Sequence, residues 1–553
     1  MKKTVYLLAI VFMVSLIAVS VVAEENSKIS MDDPRYGGKL VIGKASGPRN
    51  MDSRWTTWGD AAHSLKNEPM FMPIPSGGPT DITHAGWIDS YEFPKNKTLI
   101  LHLKEGVTYQ DGVPLDAEAV KWGILKRLTT KKLWSADFTV AHPENPEKDI
   151  EVVDDTTVKI HLKRPDPLLP VRLASYTAWA WASETPRARK RYGEEYGSKM
   201  AYGNGPFVFK EWVRGDHLTF ERYEKYWWSP PFIDHKGPAY LKEITFRYIP
   251  EATTRIQMLK TGKLDMLFSV PPPFYQSLKD NKKFKVQSAL TGKDLEVIFN
   301  VTNSPLDEIE VRKALGLAIE RGPIIEVAYE GLAEPQHTLY TVKSHVRETT
   351  KRVNYDLGKA KSVLKEAGWV DRDGDGFREK DGKDLKVKLW TQGVKQKKLA
   401  AQIIQQMWKS VGVKVDITTM ERGTLVSKAE AGDHEALLYS HESTARSDLR
   451  WFYNPNSTWG YPHFEYSDTQ KLRDLISKTF EAQHESLESY SKAMDNLVNY
   501  VTNEYYRVPV ARIKRAIAFD DGLKNVQIRG ESYWSPLPLM HDVYWEHIRK
   551  ENE

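Results

Sequence analysis

The stretch of sequence most informative about the fold is residues 203–220, which read GNGPFVFKEWVRGDHLTF. Aromatic and β-branched residues dominate from Phe207 to Val213, and the pair Gly215-Asp216 follows before a second run that ends at Phe220. Two β-rich runs around a glycine-containing turn predict an antiparallel hairpin.

Similar signals recur on both sides of this hairpin. Residues 98–103 alternate their faces as a strand, and 152–162 form two β-rich runs around an acidic turn. Asp116 precedes an apolar helical face as an N-cap, and Asp307 with Glu310 forms a capping box. Short strands that alternate with amphipathic helices predict the α/β fold class, with mixed β-sheets and several domains.

Residues 1–23 have the composition of an export signal. Lys2 and Lys3 precede an apolar run over residues 5–22, and Ala23 follows. A positive start, an apolar middle and a small final residue predict a secretory signal peptide, and hence a protein of the periplasm or the outer face of the cytoplasmic membrane. A retained membrane anchor is the alternative, because about 18 apolar residues can just span a bilayer.

The composition excludes several classes of protein. The 553 residues include no cysteine, so a disulfide, a thiolate nucleophile and a lipid-anchored cysteine are excluded. A net charge of +5 is small for this length, so we expect no nucleic acid partner. The 17 Trp and 26 Tyr exceed what hydrophobic cores normally need, and this surplus bears on the ligand.

Four regions in a fixed order carry a family resemblance. They are LHLKEGV at 101–107 with DG at 111–112, GNGPF at 203–207 with YW at 226–227, IPEATTR at 249–255 with GKLD at 262–265, and FN at 299–300 with VRKAL at 311–315. In this order they resemble the extracellular solute-binding proteins of family 5, the dipeptide- and oligopeptide-binding subunits of ABC importers and their relatives. Each piece alone is weak, whereas the collinear combination is specific.

The resemblance implies a bilobed periplasmic-binding-protein fold, with a hinge between two α/β lobes and an extra inserted domain. On this sequence, residues 24–68, 203–288 and 516–553 are expected to form lobe one, 69–202 the inserted domain, and 289–515 lobe two. We expect a monomer that captures a small-molecule ligand between its lobes and delivers it unaltered to ABC permease subunits. No cofactor is required for that task.

The ligand class is open, and one alternative is an oligopeptide or dipeptide. A peptide brings an α-ammonium group, which needs a carboxylate partner once it is buried. By resemblance, peptide-binding members carry that Asp in a Gly-Trp-x-x-Asp stretch whose Asp position here holds Thr444. Glu442 or Asp448 could substitute, and His441 lies beside them. Trp408 matches an aromatic residue that such members place in the pocket.

An oligosaccharide of the cello- or manno-type is the alternative that the tryptophan content favours. Trp55 and Trp58 follow the first strand, and Trp451 and Trp459 flank Asn456 in a polar loop. Sugar rings stack their C–H faces on Trp, and their hydroxyl groups need polar partners. We therefore predict that these five residues line the cleft and that an oligosaccharide is bound, as in similar members from thermophiles. Nickel complexes are a third class of ligand.

An acidic loop is a candidate metal site. Asp371, Asp373 and Asp375 have the spacing of the first half of a calcium loop, and Gly376 allows its sharp turn. The twelfth position holds Gly382 in place of the usual Glu. A structural calcium ion and a solvated acidic turn are both compatible with this sequence.

An exported glycoside hydrolase is the remote alternative, because such enzymes also carry acid pairs and tryptophan-lined clefts. The sequence contains neither a His-Glu-x-x-His nor a Gly-x-Ser-x-Gly motif. We therefore predict a binding protein that is not an enzyme.

Overall fold

The computed structural model describes residues 32–52, 61–74, 81–129, 140, 142, 144–174, 184–340, 348–440, 469–528 and 540–547. The predicted signal segment 1–23 lies outside these ranges. Within them, no helix combines the length and the apolar character that crossing a membrane requires.

Strands and helices alternate irregularly along the chain. The described strands are β1 Lys39–Lys44, β2 Phe71–Pro73, β3 Ile82–His84, β4 Ile88–Glu92, β5 Thr98–Leu103, β6 Ile150–Asp154, β7 Thr157–His161, β8 Phe207–Val213, β9 His217–Arg222, β10 Glu243–Tyr248, β11 Met266–Leu267, β12 Phe284–Phe299, β13 Ala333–Pro335, β14 Glu379–Lys380, β15 Lys383–Asp384, β16 Lys386–Gln392, β17 Lys414–Met420, β18 Ala436–Tyr439, β19 Arg507–Asp520, β20 Leu523–Lys524 and β21 Tyr544–Trp545. The described helices are α1 Ala61–Lys66, α2 Ala117–Thr129, α3 Leu169–Leu173, α4 Pro186–Tyr192, α5 Ala252–Lys260, α6 Tyr275–Lys279, α7 Ile309–Leu317, α8 Arg321–Pro323, α9 Leu357–Glu366, α10 Lys395–Lys409, α11 Arg422–Glu430, α12 Gln470–Ala482 and α13 Leu487–Asn503.

One large mixed sheet runs through most of the molecule. Its strand order is β17-β16-β18-β12-β19-β11-β1-β10-β9-β8, with β13 paired to β19. The two longest strands, β12 and β19, pair antiparallel in its middle. On one side β16 is parallel to β17 and β18, and on the other β1 is parallel to β10 and β11. Two α/β halves joined by two crossing strands confirm the predicted fold class, and we call them lobe two and lobe one respectively.

Each lobe has its own hydrophobic core. In lobe two, Leu295, Val297 and Phe299 of β12 are buried in a large cluster with helices α7, α9 and α10. In lobe one, β1 and β10 contribute Ile42 and Phe246 to a second cluster. Side chains alternate across a strand, so Asp294, Glu296 and Ile298 point to the other face of β12.

A third unit lies between residues 70 and 174. Its antiparallel sheet has the order β4-β5-β7-β6, and its core includes Trp87, Leu101 and Ile160. A separate sheet and core favour the predicted inserted domain. Its limits at 69–202, like the limits of both lobes, stay a prediction.

The predicted helix starts have mixed outcomes. Asp116 is confirmed as a cap, because its Oδ1 accepts a hydrogen bond from the Ala119 amide at 2.8 Å. The capping box at Asp307 and Glu310 is wrong, because helix α7 starts after Glu308, which makes no side-chain cap. A backbone turn already bonds the amides of Asp307 and Glu308, so the helix begins one residue later than the box requires.

Candidate ligand-binding site

Lobe two presents the carboxyl ends of three parallel strands along one edge. Strand β16 ends at Gln392, β17 at Met420 and β18 at Tyr439. In open α/β sheets, ligands bind just beyond the carboxyl ends of the strands. Because β12 pairs antiparallel with β18, Glu296 lies directly opposite Tyr439. This edge is therefore the candidate ligand-binding site.

Polar side chains meet at this edge. Lys397 donates a hydrogen bond to Gln392 Oε1, and its ammonium lies 5.3 Å from the centre of the Tyr439 ring. The hydroxyl oxygen of Ser440, the residue after β18, is buried and has no hydrogen-bond partner in the part of the chain that is described. A cation, an amide and a hydroxyl group at one edge can orient a polar ligand.

Three buried ionisable side chains lie beside the edge, and we call Asp294, Glu296 and Arg507 the edge cluster. Asp294 and Glu296 are each 2% exposed and Arg507 is fully buried. Arg507 Nη1 lies 3.4 Å from Glu296 Oε2, and the carboxyl groups of Asp294 and Glu296 share a hydrogen bond. One carboxylate oxygen of the cluster, Asp294 Oδ1, is buried and has no hydrogen-bond partner among the described residues.

The edge cluster has unusual acid–base properties. Burial raises the pKa of Asp294 well above its ordinary range, and the neighbouring Glu296 carboxylate raises it further. The Arg507 guanidinium lowers that pKa without cancelling the rise. This pair of carboxyl groups is therefore harder to ionise fully than two separate, exposed carboxyl groups.

The cluster lies where the two crossing strands lose their regular pairing. The register of β12 against β19 is interrupted between Leu290 and Asp294. Beside this point, Arg512 and Lys514 of β19 each lie 3.1 Å from the carboxylate of Glu334. An interruption of this kind lets a strand bend, so the candidate site adjoins the expected hinge.

Lobe one has an edge of comparable construction. Strand β1 ends at Lys44 and its parallel neighbour β10 ends at Tyr248. The Lys44 ammonium lies 4.8 Å from the centre of the Phe268 ring, and the Arg515 guanidinium lies 5.0 Å from the same centre. This edge combines an aromatic face with two cations, a combination suited to anionic and aromatic groups.

The pocket role predicted for Trp408 is wrong. Trp408 is fully buried in the core of lobe two, and its indole nitrogen donates to the Leu315 carbonyl at 3.0 Å. The physical reason is its helical spacing, because Ala401 and Ile404 on the same face of α10 are also in that core. A large amphipathic side chain on that face fills the lobe and does not reach a ligand.

The remaining residues predicted to bind ligand fall outside the described ranges. They are Trp55, Trp58, His441, Glu442, Thr444, Trp451, Asn456 and Trp459. Their roles stay predictions, although the segment that carries six of them begins directly after Ser440 at the candidate site.

The acidic loop brings its three carboxylates together. Ligand oxygens of Asp371, Asp373 and Asp375 lie within 4.8 Å of one another on an exposed surface. Asp371 accepts hydrogen bonds from the Gly374 amide at 2.8 Å, and Lys414 lies 3.4 Å from Asp375. Turn formation and calcium binding both use these oxygens, so the calcium site stays a prediction.

Sequence reasoning missed the edge cluster. The signal was present, because acidic Asp294 and Glu296 alternate with apolar Leu295 and Val297 in one strand. Alternation places two carboxyl groups on one face of a strand whose other face is buried. What the sequence could not provide was the partner, since Arg507 is more than 200 residues away on β19.

The fold and the site define a class of protein, namely a bilobed binding protein with its candidate site at the strand edges beside the hinge. A family model described as bacterial extracellular solute-binding proteins, family 5, matches residues 84–461. The chain belongs to this family, as its sequence resemblance predicted. Family members are characterised by binding solutes outside the cytoplasm, not by catalysis.

Individual relatives are similar over most of their length. The glutathione-binding protein GsiB of Salmonella paratyphi A is 29% identical over 422 residues, which are 72% of this chain and 75% of the relative. The ABC transporter substrate-binding protein CtaP of Listeria monocytogenes superposes with a TM-score of 0.75 at 19% identity, over 92% of this chain and 99% of CtaP. The oligopeptide-binding protein AppA of Bacillus subtilis, solved with a nonapeptide, gives 0.66 at 20% identity, over 93% and 100%.

Proposed function

We propose that this protein is the substrate-binding component of an ABC importer and that its substrate is a short peptide. The main support is that the strand edge of lobe two carries both the buried carboxyl pair and the Lys397 cation, which lies over the Tyr439 ring. A zwitterionic peptide offers charges of both signs to such an edge. A neutral sugar offers no charge to this edge.

The relatives point the same way. GsiB is a glutathione-binding protein and AppA was solved with a nonapeptide, and both of these ligands contain peptide bonds and charged groups. They favour the peptide alternative over the oligosaccharide that the tryptophan content led us to expect.

The crossing strands that connect the two lobes support the proposed transport role. Ligand contacts to both lobe edges would favour the closed arrangement, because a ligand shifts a conformational equilibrium by its differential affinity for the two states. Export of the chain would then place the closed, loaded protein where a permease can receive the peptide. The peptide leaves unaltered, so no reaction is required of the site.

A thermal-shift panel tests the ligand class. Glutathione and di- to pentapeptides are compared with cello-, manno- and xylo-oligosaccharides and with nickel complexes. A micromolar peptide at millimolar concentration should stabilise the protein by about 4 kcal/mol. Stabilisation by a sugar with none by any peptide would contradict the proposal.

Mass spectrometry of the recovered ligand separates binding from catalysis. We expect each stabilising peptide to be recovered intact after prolonged incubation with the protein. Cleavage products that require the folded protein would instead identify an enzyme.

A further inference from the structure

We propose that the third unit closes onto lobe two through a clasp, which consists of the turn at residues 163–168 and the helix pair α12–α13 that this turn contacts. The clasp forms when the lobes close, so it strengthens ligand binding without touching the ligand. This inference rests on the proposed function in one respect, namely that a solute is held between the lobes. It does not depend on that solute being a peptide.

The first observation is that two neighbouring leucines pack into different cores. Leu169 is fully buried in the core of the third unit. Leu168 is 8% exposed and is buried in another cluster, whose other members all lie in the predicted lobe two, on α12, on α13 and in the segments beside them. One leucine of the third unit therefore completes a core that belongs to lobe two.

The second observation is a polar contact beside this leucine. His484 lies between α12 and α13, and its Nδ1 donates a hydrogen bond to the Pro165 carbonyl at 2.7 Å. The turn itself is held in shape, because Pro165 and Pro167 restrict its backbone and the Asp166 amide donates to the Asn96 carbonyl at 2.6 Å. A turn that is fixed to its own unit thus contacts lobe two on its other side.

The third unit is fastened to lobe one. Gln110 of this unit donates to the carbonyls of Gly205 and Phe207, both at 2.9 Å, and accepts from the Gly203 amide at 2.9 Å. Phe207 begins β8, which is part of the sheet of lobe one. We therefore expect the third unit to move with lobe one when the lobes rotate.

The clasp lies far from the expected hinge. The pairing of β12 with β19 is interrupted between Leu290 and Asp294, whereas the Phe299 amide donates to the carbonyl of Tyr506, a member of the cluster that holds Leu168. Phe299 is five residues beyond Asp294, or about 16 Å along the strand. A contact at this distance from the hinge is made and broken when the lobes rotate about it.

The clasp adds its own free energy to the closed state. Opening would expose Leu168 to water, and burial of a leucine side chain is favourable. The apparent affinity of a ligand falls with the fraction of the protein that can hold it, so loss of the clasp weakens binding even though no ligand contact is lost. The clasp residues are therefore positioning residues.

Leu168→Ala tests the apolar part of the clasp. With the tightest-binding peptide of the panel, the dissociation constant should rise about 10-fold or more, mainly through faster dissociation. Leu169→Ala is the matched control, because this neighbouring leucine faces only the third unit. It should lower the free energy of unfolding and leave the dissociation constant of the folded protein unchanged. His484→Ala should weaken binding in the same direction as Leu168→Ala, but less.

Chemical cross-linking tests whether the contact depends on ligand. The chain has no cysteine, so Arg164→Cys combined with Glu485→Cys supplies its only two thiols. Both positions are exposed, and they adjoin Pro165 and His484 without replacing either. A short bismaleimide should link the two thiols faster when the peptide is present, and the linked protein should release the peptide more slowly. The two single-cysteine proteins are the controls, and the peptide should not change the reactivity of either thiol.

The outcomes separate this inference from the proposed function. An unchanged dissociation constant in Leu168→Ala, or equal linking rates with and without peptide, would overturn the clasp and leave peptide binding intact. If no peptide binds the wild-type protein, the proposed ligand is wrong, and linking measured with the sugar or nickel complex that does stabilise the protein decides on the clasp. Absence of any binding solute would overturn both.

Discussion

Buried ionisable side chains occur in two contrasting regions of this molecule. The edge cluster lies on the crossing strands of lobe two. The second group, which we call the junction cluster, lies where lobe one meets the predicted inserted domain and comprises Asp52, Lys66, Glu68, Glu184 and Arg189. Their side chains are largely buried, as are those of the edge cluster.

The junction cluster satisfies its acids with its own donors. Arg189 Nη2 lies 2.8 Å from Asp52 and 2.5 Å from Glu184. The Tyr226 hydroxyl donates to Glu68 at 2.5 Å. Opposite charges and hydrogen bonds therefore offset the cost of burying these groups.

The edge cluster differs because one of its buried carboxylate oxygens, Asp294 Oδ1, lacks a donor within the described structure. The junction cluster lies between two units of the fold, whereas the edge cluster lies beside the candidate ligand-binding site. This difference in position agrees with a structural role for the junction cluster and with the ligand-binding role proposed for the strand edge of lobe two.

The largest expected effect tests whether the edge cluster is also needed for folding. Arg507→Met leaves Glu296 buried without its cation, so the free energy of unfolding should fall by about 3–5 kcal/mol in urea titrations. Lys199→Met, which removes an exposed ion pair with Glu195, is the control and should change stability by less than about 1 kcal/mol. A loss for Arg507→Met as small as that of the control would mean that the cluster is already open to water.

The next prediction separates the core of lobe two from its edge. Trp408→Ala should cost about 3–5 kcal/mol of unfolding free energy, because it leaves a cavity in the core. The peptide dissociation constant of the folded variant should not change. Weaker peptide binding with an unchanged free energy of unfolding would instead show that Trp408 contacts the ligand.

The third prediction concerns the junction cluster and pH. Burial raises the pKa of Glu68 to about 8. The folded state therefore holds a proton that the unfolded state loses above pH ~4.5, so stability falls as pH rises from about 4.5 to 8. Glu68→Gln should flatten this decline by roughly 2–4 kcal/mol between pH 5 and 8.

Lys66 provides an internal check on that measurement. Burial lowers the pKa of Lys66 to about 8. Its contribution to stability therefore changes only above that pH. There the unfolded lysine keeps its proton and the folded lysine does not, so the contribution of Lys66 to the free energy of unfolding rises with pH. Over pH 5–8, the difference between the wild-type profile and the Glu68→Gln profile therefore excludes Lys66 and reports on Glu68. Parallel pH profiles for the wild-type protein and Glu68→Gln would show that the acid is hydrated in solution.

The smallest expected effect belongs to the exposed acidic loop, which contrasts with both buried clusters. If the loop binds calcium with the submillimolar affinity of extracellular sites, 2 mM calcium should stabilise the protein by about 1 kcal/mol. A chelator should reverse that gain, and Asp373→Asn should abolish it. Identical melting temperatures with calcium and with chelator would show that the loop is a solvated acidic turn that binds no calcium.

Local features were the best predicted part of the fold. The strand Thr98–Leu103 and the hairpin strands Phe207–Val213 and His217–Arg222 match the sequence signals, because neighbouring residues carry both the alternation and the turn. The role of Trp408 was misjudged, because an aromatic residue on a helix has the same local signal whether its face meets a core or a cleft.

The sequence by itself determined the α/β class, the family and the boundaries of many strands, since these depend on periodicity, capping and the order of motifs. Only the tertiary structure decided that Asp294 and Glu296 meet Arg507, because β12 and β19 are brought together by a pairing that spans more than 200 residues. The same pairing places the carboxyl groups in a low-dielectric environment, where burial and mutual repulsion change their protonation. The sequence specifies which residues are ionisable, whereas their burial and their ion-pair partners are set only when distant strands form one sheet.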